Sequence, residues 1–157
     1  MGAAHPSYFA ETAMLIRKPI AEVFEAFVNP EITTKFWFTK STGKVEAGKQ
    51  VDWIWEMYGV TVHVLVKSVV ANKSIVIEWG DDFTKLTRVE WTFTPMDDHS
   101  TFVNIVNDGF TGNVDEIVTQ VRNSTSGFTL VLAGLKAYLE HNMQLNLIAD
   151  RFPEGKK

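Results

Sequence analysis

The feature that most constrains the fold is a long alternation of apolar and polar residues between Lys44 and Phe110. A period of two is typical of strands with one buried and one solvated face. Short groups of turn-forming residues interrupt the alternation at fairly even intervals. These breaks fall at Gly48, Gly59 and residues 71–73, 80–82 and 95–100. Evenly spaced strands joined by short turns predict an antiparallel meander, whose apolar face another part of the chain must cover.

The apolar face of this predicted sheet is rich in large aromatic side chains. Four of the five tryptophans fall on it, and the fifth, Trp37, lies in the preceding loop. Such rings can fill a core or line a cavity, and the sequence leaves both open. A curved sheet that grips one helix favours a cavity, because rigid rings line a gap more readily than they fill it. The inward positions are predicted to be Val51, Trp53, Trp55, Val60, Val62, Val64, Val66, Ile75, Ile77, Trp79, Val89, Trp91, Phe93, Val103, Ile105 and Asn107.

A helical pattern precedes the meander. Apolar residues recur at helical spacing over 20–27, Pro19 suits a first helical turn, and Pro30 ends the helix. A strand is predicted before it, over 9–17, and a second short helix after it, over 30–36.

Only the C-terminal third is expected to cover the apolar face of the sheet, and its pattern predicts a long helix. The stretch SGFTLVLAGLKAYLE, Ser126–Glu140, carries one apolar stripe. A kink or a break is predicted at 124–127, because serine and glycine are poor helix formers, and Gly134 is interpreted as a point of close approach. The stripe consists of Phe128, Val131, Leu132, Leu135, Tyr138 and Leu139, and a preceding run places Val114, Ile117, Val118 and Val121 at helical spacing.

Composition narrows the classes of function. The formal net charge is -4, so nothing favours binding to nucleic acid. The chain has no cysteine, which fits a reducing, cytoplasmic compartment. The longest uncharged run, 123–135, is shorter than the roughly 20 residues of a membrane span, and no signal peptide is recognised. We predict a single domain over 1–157, with its core at about 9–152.

The motifs that suggest chemistry are weak. GKVEAGKQ, 43–50, is close to a phosphate-binding loop, but Gln50 replaces the hydroxyl residue and a strand is predicted to follow, which indicates a turn. Asp81-Asp82 and Asp97-Asp98 are interpreted as turn residues.

The four histidines lack the spacing of metal ligands. His63 is predicted on the outer face of the sheet, His99 in a turn and His141 at a helix end. We predict no catalytic residue, no metal and no cofactor.

Five segments carry a family resemblance when they are taken in order: IRKPIAEVFEAFVNPEITTKFW, VEAGKQVDW, EWTFTP, DGF and GFTLVLAGLKAYLE. Together they resemble the START-like, or SRPBCC, superfamily. Within it the chain resembles the branch named for the C-terminal domain of the activator of the heat-shock protein 90 ATPase, from about Phe9 to Phe152. The resemblance implies an α+β helix-grip fold: a curved antiparallel sheet of about seven strands grips a long C-terminal helix, with two short helices after the first strand. Where many members carry histidine and serine before Gly-Phe, this chain has Asn107 and Asp108.

The chain is predicted to bind a small, mostly hydrophobic molecule, lipid-like or polyketide-like and aromatic, as a carrier or sensor. One alternative is a cyclase-like or dehydratase-like enzyme that uses the same cavity, with Asn107, Tyr58 or Tyr138 moving a proton. Another is a chaperone-ATPase interaction module, which the family name alone suggests. A homodimer through the surface of Leu130, Ala133 and Ala137, which lie off the apolar stripe, is a further alternative. The predicted ligand-binding residues are Phe36, Trp37, Trp53, Trp55, Tyr58, Val64, Trp79, Trp91, Phe93, Asn107, Phe110, Phe128, Leu132 and Leu135.

Overall fold

A computed structural model describes residues 8–155 and shows one antiparallel sheet with helices on its inner face. Seven strands form the sheet within these residues, in the order β1-β7-β6-β5-β4-β3-β2. The strands are β1 Ala10–Ile16, β2 Lys40–Ser41, β3 Gln50–Trp55, β4 Val60–Val70, β5 Ser74–Gly80, β6 Thr87–Asp97 and β7 Ser100–Asp108. The helices are α1 Ile20–Val28, α2 Pro30–Thr33, α3 Val114–His141 and α4 Leu147–Asp150. A 3₁₀ turn, Glu56–Tyr58, connects β3 to β4.

The register of the sheet places the alternating apolar residues on one face, as predicted. Trp91 lies opposite Ile75 on β5 and Ile105 on β7, and all three are buried. The outer face is charged: the Nδ1 of His63 lies 2.8 Å from the Oδ1 of Asp52. Since the two faces differ so strongly in polarity, a register slip of one residue would bury charge.

Cover for the sheet comes from both ends of the chain. The helix α1 buries Phe24 and Phe27, whose rings contact Phe93 at centroid distances of 5.1 and 5.9 Å. The prediction that only the C-terminal third covers the sheet is therefore wrong. The aromatic residues of α1 and of the segment 36–38, all buried, fill the space beneath one part of the sheet.

The helix α3 runs without interruption through residues 124–127. Of the two predicted alternatives, the break is wrong, because tertiary packing outweighs the poor helix propensity of glycine and serine. Leu132 and Leu135 anchor one half in the main core, and Ile117 anchors the other against Ala10 and Phe110. A capping box between Asn113 and Glu116 fixes the first turn.

The apolar residues of the first half of α3 are only partly buried. Ile117 is fully buried, whereas Val114 and Val118 are exposed. The second half follows its predicted stripe more closely, with Phe128, Val131 and Leu132 buried.

The acidic pairs lie at turns, as predicted: Asp81 and Asp82 follow β5, and Asp97 ends β6 just before Asp98 in the turn to β7. Hydrogen bonds from the amide and hydroxyl of Thr84 hold the pKa of Asp82 below its ordinary value. The amide of His99 and the hydroxyl of Ser100 likewise lower the pKa of Asp97. The near match to a phosphate loop leads into β3 rather than into a helix.

Within residues 8–155, none of the helices combines the length and apolarity that crossing a membrane requires. The same residues contain no group of three or more histidines and carboxylates that could hold a metal ion.

Candidate functional site

A cavity of about 310 Å³ lies between α3, the inner face of the sheet and the C-terminal segment, residues 147–152. Most of its walls are aromatic or aliphatic, and none of the aspartates, glutamates and histidines within residues 8–155 lines it. It lies at the small end of the range for small-molecule sites, which are typically apolar with a few oriented polar groups. The lining residues are Trp37, Tyr58, Trp79, Asn107, Asn123, Ser124, Gly127, Phe128, Leu130, Val131, Ile148, Arg151 and Phe152.

Three aromatic rings from different parts of the chain form one wall. Trp37 follows α2, Trp79 lies on β5 and Phe128 lies on α3. Their ring centroids are mutually close: Trp37 to Trp79 is 5.9 Å, Trp37 to Phe128 is 5.7 Å and Trp79 to Phe128 is 5.5 Å. Rings that support one another in this way form a rigid apolar surface.

The C-terminal segment closes the opposite side. The hydroxyl of Tyr58 donates to the carbonyl oxygen of Ile148 and reaches that of Ala149 at 3.2 Å. Phe152 contacts Tyr58 edge-on at 6.1 Å, and the guanidinium of Arg151 lies 4.5 Å from the Phe152 ring centroid. Tyr58 therefore holds this segment over the cavity.

The helix α3 contributes a stripe of lining residues at helical spacing: Ser124, Gly127, Phe128 and Val131. Gly127 lies at the centre of this stripe. A Cβ atom built on it meets no atom within 4 Å apart from its chain neighbours and the backbone of its own helix. The absence of a side chain at Gly127 therefore leaves open volume over the aromatic wall.

Polar groups meet where α3 passes β7. Asn107 is buried, and its Nδ2 donates to the Oγ1 of Thr87 at 3.0 Å and to the carbonyl oxygen of Arg88 at 2.8 Å. The hydroxyl of Ser124 lies 2.8 Å from the Oδ1 of Asn107. Asn107 is thus held in one orientation by structural hydrogen bonds while it also faces the cavity.

Five of the predicted ligand-binding residues line this cavity: Trp37, Tyr58, Trp79, Asn107 and Phe128. Trp55 lines a smaller recess beside it, together with Tyr58 and Trp79. Phe36 lines a separate recess under the α3–α4 connection.

The other predicted residues are buried and do not line the cavity. Trp53 stacks on Phe38 at 4.7 Å, and Trp91 contacts Phe27 at 5.9 Å. The indole nitrogens of both tryptophans are buried without a hydrogen-bond partner among residues 8–155. The residues in this group are Trp53, Val64, Trp91, Phe93, Phe110, Leu132 and Leu135.

Sequence reasoning missed several lining residues. The predicted kink or break covers Ser124 and Gly127, whereas both residues lie inside the continuous α3 and line the cavity. Ile148, Arg151 and Phe152 follow the long helix, where the sequence has no periodicity that would orient them. The available signal was the spacing of Ser124, Gly127 and Val131, which places them on the same helix face as Phe128.

The model of the family described as activator of Hsp90 ATPase homolog 1-like protein matches residues 17–140. The chain belongs to this family. The match spans most of the sheet and α3 up to Glu140, so the cavity lies largely within the family's domain, while α4 and Phe152 lie beyond the matched range. No curated protein sequence matches the chain.

Solved structures of similar proteins share this helix-grip fold. SSP2350 from Staphylococcus saprophyticus is 28% identical, with a TM-score of 0.75 over 87% of this chain and 95% of its own. The Aha1 dimer from Colwellia psychrerythraea is 15% identical, with a TM-score of 0.72 over 85% of this chain and 96% of its own.

A third similar structure belongs to a longer chain. DynU16, a protein in the dynemicin biosynthetic locus, is 16% identical, with a TM-score of 0.78 over 88% of this chain. The match covers 49% of the DynU16 chain, about half its length. At this level of identity the likeness shows the helix-grip fold alone.

Proposed function

We propose that this chain binds a small, mostly hydrophobic molecule, aromatic or lipid-like, as a carrier or sensor. The molecule occupies the cavity between the sheet and α3. The observation that carries the proposal is the open volume over Gly127, faced by the rings of Trp37, Trp79 and Phe128.

The two glycines of α3 have different explanations, one in close packing and the other in open space. A Cβ on Gly134 would lie 3.3 Å from Phe36, so close packing of α3 accounts for glycine there. Gly127 has no such neighbour, yet glycine in a helix costs about 1 kcal/mol relative to alanine. Packing therefore gives no reason for Gly127, whereas space for a guest does.

The polarity and volume of the cavity suit a small apolar guest. The rings of Trp37, Trp79 and Phe128 line it, and Val131 and Ile148 provide aliphatic contact. Burial of apolar surface contributes roughly 25 cal/mol per Å², so a two-ring or three-ring molecule would gain most of its affinity from this contact. A volume of about 310 Å³ admits a molecule of that size.

Tryptophan fluorescence tests the proposal directly, because Trp37 and Trp79 line the cavity. The purified chain is titrated with fatty acids, flavonoids and polyketide-like aromatics. We expect a saturable change with at least one class. Native mass spectrometry of freshly purified protein provides an independent search for a bound small molecule.

A matched pair of variants locates the binding site. Gly127→Leu places a side chain in the open volume and is expected to weaken binding at least tenfold. Ser126→Leu introduces the same side chain at an exposed neighbouring position that does not line the cavity, and should bind as the wild type does. The proposal is wrong if no class of ligand saturates, or if Gly127→Leu binds as tightly as Ser126→Leu.

A further inference from the structure

The hydrogen bonds around Asn107 fix the direction of its amide group. The carbonyl oxygen of Arg88 can only accept a hydrogen bond, so the group 2.8 Å from it must be the Nδ2 of Asn107. The second hydrogen of Nδ2 is directed to the Oγ1 of Thr87 at 3.0 Å. Both donors of Asn107 are therefore used within the protein.

This orientation also determines the role of Ser124. Its hydroxyl lies 2.8 Å from the Oδ1 of Asn107, an oxygen that only accepts. Ser124 must therefore donate its single hydrogen to Asn107. Within the described residues no group donates to the Oγ of Ser124, so the lone pairs of this oxygen remain available where Ser124 lines the cavity.

The remaining hydroxyl of the cavity wall has also used its hydrogen. Tyr58 donates to the carbonyl oxygens of α4. Among the described residues, Asn107 and Ser124 thus offer acceptors and no donor where they line the cavity. The other lining residues that carry donors are Arg151 of the C-terminal segment, the exposed Asn123 beside Ser124, and the indoles of Trp37 and Trp79.

We propose that the ligand is an aromatic molecule with a hydrogen-bond donor, of the phenol class, whose hydroxyl donates to the Oγ of Ser124. This inference rests on the proposed function and specifies the ligand of the same cavity. The bond would extend a chain from the ligand through Ser124 to Asn107, in which each hydroxyl polarises the next. An ether or carbonyl oxygen in the same position would face lone pairs and lose its hydrogen bonds to water without replacement.

A pair of ligands of nearly equal shape isolates this interaction. Binding of 2-naphthol and of 2-methoxynaphthalene to the wild-type chain is measured by calorimetry or by tryptophan fluorescence. We expect 2-naphthol to bind about tenfold more tightly, the effect of one hydrogen bond in a partly buried site. Because the comparison uses the wild-type protein, it does not depend on the folding of any variant.

Substitutions then assign the preference to Ser124. Ser124→Ala is expected to reduce the preference for the phenol to less than about threefold. Ser126→Ala, at the exposed neighbouring position, should leave it unchanged. Circular dichroism confirms that both variants are folded before the comparison.

The outcomes separate this inference from the function beneath it. Equal binding of the two naphthalenes, or an unchanged preference in Ser124→Ala, would overturn the inference. The proposed binding of a hydrophobic molecule would not be affected by either result. If neither naphthalene binds, and no flavonoid and no fatty acid binds, the proposed function is wrong and this inference is wrong with it.

Discussion

Gly134 of α3 lies directly against Phe36: a Cβ on Gly134 would come within 3.3 Å of both the carbonyl oxygen and the Cβ of Phe36. This is closer than ordinary van der Waals contact, and one of the two atoms belongs to the backbone of a buried residue. The close approach brings α3 onto the segment that carries Trp37. About two helical turns earlier in α3, Gly127 faces open volume instead.

Alanine at these two positions should therefore act in opposite ways. Gly127→Ala is expected to raise the free energy of unfolding by about 0.5 to 1 kcal/mol, because alanine is the better helix former and nothing obstructs its Cβ. Gly134→Ala gains the same propensity but must displace Phe36, so we expect it to be at least about 1 kcal/mol less stable than Gly127→Ala. Urea denaturation measures both. Equal stabilisation by the two substitutions would show that Phe36 does not obstruct a Cβ atom at position 134.

Glu140 near the end of α3 should make the stability of the protein sensitive to acid. Burial by itself raises the pKa of Glu140, but hydrogen bonds from the amide of Arg17 and the Nζ of Lys136, with the charge of Lys136, hold this pKa below its ordinary value. A lowered folded-state pKa stabilises the protein above about pH 4.3, the unfolded value, and this contribution is lost as the pH falls through the folded-state pKa.

Replacement of Glu140 tests this linkage. We expect Glu140→Gln to lower the free energy of unfolding by about 1 kcal/mol at pH 7 and to flatten its decline between about pH 5 and pH 3. Glu25→Gln, at an exposed position of α1, removes one carboxylate without these contacts and should keep the wild-type profile. An unchanged profile in Glu140→Gln would contradict the assignment.

Tyr58 should control how firmly the C-terminal segment is held. Tyr58→Phe removes the hydrogen bonds to Ile148 and Ala149 and retains the ring that contacts Phe152. We expect the free energy of unfolding to fall by about 1 kcal/mol. Amide hydrogen exchange should become faster in residues 147–152 and change little in β5 and β6. Exchange that rises equally throughout the sheet would indicate global destabilisation, and the local role of Tyr58 would then be wrong.

The core and the cavity were not equally predictable. Trp53, Trp79 and Trp91 share the same pattern of alternation, and this pattern correctly placed all three on the inner face. Only Trp79 reaches the cavity. The difference depends on which part of α1, α3 or the segment 36–38 lies above each ring, and those contacts join residues far apart in the chain.

The sequence by itself determined the sheet, its apolar face and the helix that covers it, because alternation and helical periodicity are local consequences of burial on one side. Only the tertiary structure decided where covering side chains fill the space and where they leave it open. Continuity of α3 at Gly127, the closure by Tyr58 and the bond between Ser124 and Asn107 each depend on long-range contacts. Local propensity carries no information about such contacts, and for that reason the position of the cavity emerged from the folded chain alone.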